Sequence, residues 1–389
     1  MKKKKILALT GIRSEFDIIV PVLHELKNTG YDVGLIISGA HLSDWHGDSN
    51  NTIFESGIKV VDRVDNLLMT NRKTQRAKGV GLLTYAYSQI VERENPDFLI
   101  YVGDREEGLA GAIVANYMDI IFIHLAGGDP VFGNSDDPVR FAISKLAHVP
   151  CAFAEEYAKN LLKLGEDEFR VFNTGNPSLD YIRNTEILPL KVLSKRLDFD
   201  ISDGKYLVLI KHPLSSEINQ AGNQMKITLL AMKKFSEETG VKICLIRPNT
   251  DPGSYDILKQ IDEIEQQEMF GIFKSLPHKE FVSLIANALL LAGNSSMGIL
   301  EAPFYKLPVV NIGNRQQGRL NAGNVHFVSH DVDEIANALK RAAFDDEYRN
   351  YVAELINPYG DGSSVTSIVD VINHVEPGSN KWLVKNHLI

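Results

Sequence analysis

Short apolar runs alternate with amphipathic stretches along almost the whole chain, and each kind of run has its own period. In the first half, blocks rich in β-branched and aliphatic residues at 5–11, 33–38, 98–103, 120–124, 149–154 and 169–175 read as strands. Between them apolar positions recur at helical spacing. In 138–147, for example, Val139, Ala142, Ile143 and Leu146 fall at i, i+3, i+4 and i+7, with Asp137 able to cap the start and Pro138 suited to the first turn. The second half repeats the rhythm with strands at 206–211, 241–246, 269–275, 289–293, 307–312 and 324–328, then a helix over about 364–374. Such alternation predicts parallel sheets covered on both faces. Around 176–204 the pattern loosens into Asn176-Pro177, Leu188-Pro189-Leu190 and Ile201-Ser202-Asp203-Gly204, which reads as a linker. The expected class is α/β, with two doubly wound Rossmann-like domains facing a cleft. Residues 1–180 form the first, 200–365 the second, and 366–389 a C-terminal helix and tail that packs back on the first. Open sheets of this kind bind ligands at the carboxyl ends of their strands.

Composition narrows the partners. The 389 residues carry 41 Lys+Arg against 50 Asp+Glu, a net charge of −9, which excludes a broad nucleic-acid or anionic-membrane surface. An anionic ligand must be met by a local pocket. Cys151 and Cys244 are the two cysteines and have no metal-ligand spacing, so neither a disulfide framework nor a zinc site is written here, and a reduced, cytoplasmic setting is expected. The opening Lys2-Lys3-Lys4-Lys5 and the apolar run after it give way to Arg13, Glu15 and Asp17, unlike a signal peptide. The most apolar region, 109–128, is broken by Asn116, Asp119 and His124, so no membrane span is expected.

The informative residues stand where predicted strands end. Gly11-Ile12-Arg13 brings a guanidinium to a helix entry, suited to phosphate, although Arg13 could equally pair with Glu15 or Asp17 at the surface. No GxGxxG or GxxxxGK[ST] motif accompanies it. Gly103-Asp104 places a carboxylate that is either a helix cap or an acid/base group. His124 is more easily a core histidine than a catalyst, while Gly127-Gly128-Asp129 lets backbone approach a ligand beside a carboxylate. Asp136-Asp137 offers two carboxylates where one cap suffices. Asp104, Asp129 and Asp136 thus converge on one edge, as general acid/base chemistry at carbon or at a glycosidic bond requires. A metal is disfavoured, because Arg13, Arg315 and Arg319 are available for phosphate and no tight ligand triplet occurs. In the second half His212 ends a strand, Asn249 lies in a polar turn, and Ser295-Ser296 precede a helix start with Glu301 beyond, a pattern for a diphosphate and a ribose diol.

Taken in order, Gly11-Ile12-Arg13, Gly103-Asp104-Arg105, His124 to Asp129, Asp136-Asp137 with Arg140 through His148, Gly293 to Ser296 with Glu301-Ala302-Pro303, and Arg315-Gln316 resemble the UDP-N-acetylglucosamine 2-epimerases over nearly the whole chain. Residues 136–148 and the Asn249-Thr250-Asp251 turn resemble the hydrolysing branch, which serves sialic-acid-type and surface-polysaccharide sugars. The resemblance implies a B-type glycosyltransferase architecture and conversion of UDP-N-acetylglucosamine, or a UDP-2,4-diacetamido-6-deoxy relative, to the free 2-epimeric sugar and UDP. No cofactor is implied, and the expected assembly is a homo-oligomer, a dimer or tetramer. It further implies that Arg13 meets the diphosphate, Asp104 and Asp136 are acid/base residues, His212 lies near sugar and phosphate, and Ser295 and Glu301 hold diphosphate and ribose. One position departs from the family, which has Glu two residues after the strand-end His where this chain has Ala126; Asp129 is the nearest substitute. A non-hydrolysing epimerase, a B-type glycosyltransferase and a nucleotide-sugar sensor are the alternatives.

Overall fold

A computed structural model describes residues 3–43, 53–68, 74–130, 136–248, 253–274 and 276–385. The chain divides into two units, one holding the residues up to Arg183 together with those from Tyr359 onward, the other running from Asn184 to Pro358.

In the first unit seven parallel strands stand in the order β3-β2-β1-β4-β5-β6-β7. They are β1 (Lys5–Thr10), β2 (Asp32–Ser38), β3 (Lys59–Val64), β4 (Phe98–Val102), β5 (Ile121–Leu125), β6 (Val149–Ala152) and β7 (Phe172–Asn173). The central strands β1, β4, β5 and β6 are buried throughout except for the first residue of β1, as expected when helices cover both faces. Leu7, Leu9, Leu99, Tyr101 and Phe122 form one core with the helices Thr74–Glu94, Glu106–Tyr117 and Asp136–Leu146. The turns after β1, β4 and β5 therefore lie side by side at one sheet edge.

The strands of this sheet depart from the expected ones at two places. The strand expected at 169–175 shrinks to the two residues of β7, because Glu168–Arg170 turn as a 3-10 helix and Gly175 leaves the ladder with φ of +73°. Conversely β3 was not legible: Lys59, Asp62 and Arg63 interrupt its apolar pattern, which an edge strand paired only to β2 tolerates.

The second unit has six parallel strands in the order β10-β9-β8-β11-β12-β13. These are β8 (Tyr206–Ile210), β9 (Lys242–Ile246), β10 (Phe270–Phe273), β11 (Leu291–Gly293), β12 (Val309–Ile312) and β13 (Val325–Val328). Gly293 closes β11 with φ of +119°, and a Cβ there would sit 2.0 Å from the Ile210 carbonyl oxygen, so the close approach of β11 to the end of β8 demands glycine. The expected linker is in fact folded. Within 176–204 lie the helices Ser178–Arg183, in the first unit, and Leu190–Leu197, whose Leu193 and Leu197 are buried against β8. Pro189 stands at the start of the latter and Asp198, with φ of +51°, ends it, so the breakers delimit a helix rather than abolish one. The C-terminal helix Ser364–His374 packs on the helix Arg13–Asn28 of the first unit.

Candidate active site

In the first unit the β4 turn delivers Asp104 to the sheet edge. Asp104 does not cap the next helix, which begins at Glu106 with Arg105 as its flanking residue and no side-chain cap. Its carboxylate instead pairs with Arg140, a side chain carried 36 residues away on the helix Asp136–Leu146. The same buried guanidinium donates to the Ala126 carbonyl at 3.0 Å and lies 3.7 Å from Asp129 Oδ2. One cation thus serves two carboxylates and the backbone between them. Ala126 holds the left-handed conformation, φ +63°, which points its carbonyl at Arg140. Asp136 opens its helix rather than preceding it, so Asp137 lies in the first turn and is not the cap.

His124 is a core histidine. Its Nε2 lies 2.8 Å from the Gly103 carbonyl and its Nδ1 3.0 Å from Ser144 Oγ, so Nε2 carries the proton and Nδ1 accepts from the hydroxyl. Burial lowers its pKa to about 4 and keeps the ring neutral. The ring therefore ties the turn bearing Asp104 to β5. Arg13 lies 3.5 Å from Asp17 and stays partly exposed; Asp17 is itself raised by burial, an effect Arg13 partly offsets.

The second unit places His212, Ser295 and Arg315 at the carboxyl ends of β8, β11 and β12, which adjoin. Asn294 clamps the His212 backbone from both sides, its Oδ1 accepting the His212 N–H at 2.7 Å and its Nδ2 donating to the His212 carbonyl at 2.8 Å. Burial, and next the Arg315 charge, push the imidazole down to about 3, so His212 acts as a neutral hydrogen-bonding group. Arg315 Nη1 and Gln316 Nε2 both donate to the Asn294 carbonyl at 3.1 Å, which fixes the β11 and β12 turns together. Ser295 and Ser296 lead into a single helical turn, Met297–Leu300, and Glu301 follows it, half-buried. Arg319 is not at the rim: it is buried and donates to Gln316 Oε1 at 2.9 Å. Asn249 lies outside the described residues, as does the Thr250-Asp251 turn. The pattern of strand ends assigned no role to Asn294 or to the buried Lys211, which donates to His330 Nε2 at 3.0 Å, and Arg140 stood only among the residues of the family resemblance, without a partner assigned to it.

Among the described residues no group of three or more His, Cys, Asp or Glu side chains is disposed to hold a metal, and no helix is long and apolar enough to cross a membrane. The arrangement suits an anion at the second unit's edge and proton transfer at the first.

Comparison with known proteins gives the same direction. A family model described as UDP-N-acetylglucosamine 2-epimerase matches residues 24–373. A UDP-N,N'-diacetylbacillosamine 2-epimerase (hydrolyzing) of Legionella pneumophila is 32% identical over 93% of each chain. A GDP/UDP-N,N'-diacetylbacillosamine 2-epimerase (hydrolyzing) of Campylobacter jejuni is 33% identical over 88% of each. Among solved structures, the UDP-GlcNAc 2-epimerase of Neisseria meningitidis bound to UDP-GlcNAc superposes with a TM-score of 0.79 at 20% identity, over 95% of this chain and 99% of that one.

Proposed function

This chain belongs to the UDP-N-acetylglucosamine 2-epimerase family, and from that premise we propose a hydrolysing 2-epimerase that prefers a UDP-2,4-diacetamido-6-deoxy sugar over UDP-N-acetylglucosamine. The pairing of Asp104 and Asp129 on the Arg140 guanidinium carries the chemistry. The preference for a diacetamido sugar is supported by the names of the Legionella and Campylobacter relatives.

The reaction begins as an anti elimination: a carboxylate takes the C2 proton while the C1–O bond to UDP breaks, leaving a 2-acetamido glycal. Water then adds, its oxygen at C1 and a proton at C2 on the opposite face. A C2–H with no adjacent carbonyl is barely acidic, so departure of UDP leads and C1 gains cationic character. Asp104 and Asp136 are the acid/base pair and Asp129 supplies the negative charge that Ala126 cannot. Arg13, Arg315, Ser295 and Ser296 meet the diphosphate, Glu301 the ribose diol, and neutral His212 bonds to sugar or phosphate without competing for the proton. No cofactor enters. A cytoplasmic setting and a homo-oligomeric assembly remain our expectations.

The test is product analysis with UDP-N-acetylglucosamine and its 2,4-diacetamido-6-deoxy analogue. Free 2-epimeric sugar plus UDP, with the higher kcat/KM for the diacetamido substrate, is the expected result. Release of an intact UDP-linked epimer would make the enzyme non-hydrolysing, and sugar release only with an acceptor would make it a transferase.

A further inference from the structure

Beneath the turns that carry Arg13 and Asp104 lies a group of buried acids with no part in the chemistry above. Glu15, in the first turn of the helix Arg13–Asn28, is 6% exposed. Its Oε2 accepts the Gly11 backbone N–H at 3.0 Å, and its Oε1 accepts the Tyr101 hydroxyl at 2.7 Å. The Tyr101 oxygen in turn accepts the Arg105 backbone N–H at 3.0 Å. Three hydrogen bonds thus join the residue two before Arg13 to the residue directly after Asp104.

A second carboxyl fixes the same spot. Glu107 lies so close under the β1 turn that a Cβ on Gly11 would sit 2.3 Å from its carboxyl carbon, and one on Gly39 2.8 Å from its Oε1. Its Oε2 is buried with no hydrogen-bond partner among the described residues. Two carboxyls in one buried site are costly unless they do something apolar side chains could not, since well-packed apolar replacements of buried charges are often neutral or stabilising. What Glu15 does that an apolar residue could not is accept two hydrogen bonds from two different turns.

We propose that Glu15 is a positioning residue for the epimerisation site, holding the Arg13 turn at a fixed distance from the Asp104 turn through Gly11 and Tyr101. The proposal rests on the roles given above to Arg13 and Asp104. The surroundings give it a pH signature. Burial, and next the Glu107 carboxylate, raise Glu15 to about 8, with Arg105, the Gly11 N–H and Tyr101 opposing. Glu107 is itself raised by burial, and Tyr87 faces the pair from the helix Thr74–Glu94. The folded carboxyl keeps its proton up to about 8 whereas an ordinary one releases it near 4.5, so the native state binds the extra proton across that window and stability falls as pH rises through it.

The test compares wild type with Glu15→Gln and Tyr101→Phe. Glu15→Gln cannot ionise, so its Tm relative to wild type should rise from acid to alkaline pH, and its kcat should fall about tenfold with KM within about threefold, as expected when geometry rather than binding is lost. Tyr101→Phe, still folded, should speed amide exchange in peptides 9–14 and 102–107 together. Wild-type kcat in Glu15→Gln would overturn the positioning role, and so would unchanged exchange in both peptides in Tyr101→Phe. The exchange measurement needs no substrate, so it stands even if the wild type turns over no nucleotide sugar, the outcome that would instead remove the proposed function.

Discussion

Ala126 sits in the left-handed region without being glycine or asparagine, a backbone that costs about 1 kcal/mol and is kept only where something over-determines it. Here the Arg140 bond to its carbonyl does so, and the same guanidinium reaches Asp104 and Asp129. A methyl group neither accepts a proton nor stabilises a cation. If Asp129 fills that role, Asp129→Asn and Asp104→Asn should each lower kcat by roughly 10²-fold or more while leaving UDP affinity near wild type. Glu301→Ala should show the opposite split, with KM raised and kcat largely kept. Steady-state kinetics with calorimetric UDP titration checks all three. Full activity of Asp129→Asn would return it to a structural partner of Arg140, and a kcat defect confined to Glu301→Ala would reverse the assignment of roles.

At the scale of elements, the best-defined contact the sequence hid is at the C-terminal segment. Arg170 is buried and donates to the carbonyls of Trp382 at 2.5 Å, Lys381 at 2.7 Å and Val384 at 2.5 Å, so one guanidinium holds the helix Asn380–Leu383 in place within the first unit. Lys385 adds bonds to the Lys145 and Ala147 carbonyls, both at 2.7 Å. Arg170→Met keeps the bulk but leaves three carbonyls to find other donors, and should cost about 3 kcal/mol, read as a lower Tm and as earlier proteolysis after residue 375. An unchanged Tm would show the segment to be incidental to stability. The apolar rhythm made the inner strands and the helix at 364–374 legible, because burial on both faces leaves an uninterrupted signal. It failed at β3, whose edge position admits Lys59, Asp62 and Arg63, and at 176–204, where Pro189 and Asp198 bound a helix. Strand ends pointed to Asp104, Asp129 and His212. Their partners Arg140 and Asn294 lie 36 and 82 residues from Asp104 and His212, and only the sheet order brings each pair into contact.

At the scale of the whole molecule, each unit presents one kind of chemistry at the carboxyl edge of its sheet. The first gathers carboxylates around a single buried guanidinium, the second gathers neutral donors and cations around the Asn294 carbonyl and the His212 backbone. Elimination from a nucleotide sugar asks for both, a base toward C2 and stabilisation of a departing diphosphate. The most direct test is proton NMR and mass spectrometry of the products formed from the UDP-2,4-diacetamido-6-deoxy sugar in D₂O. Proton abstraction by a side chain and its replacement from solvent predict a free 2-epimeric sugar carrying deuterium at C2. A product that keeps the original C2 hydrogen would contradict elimination through a glycal.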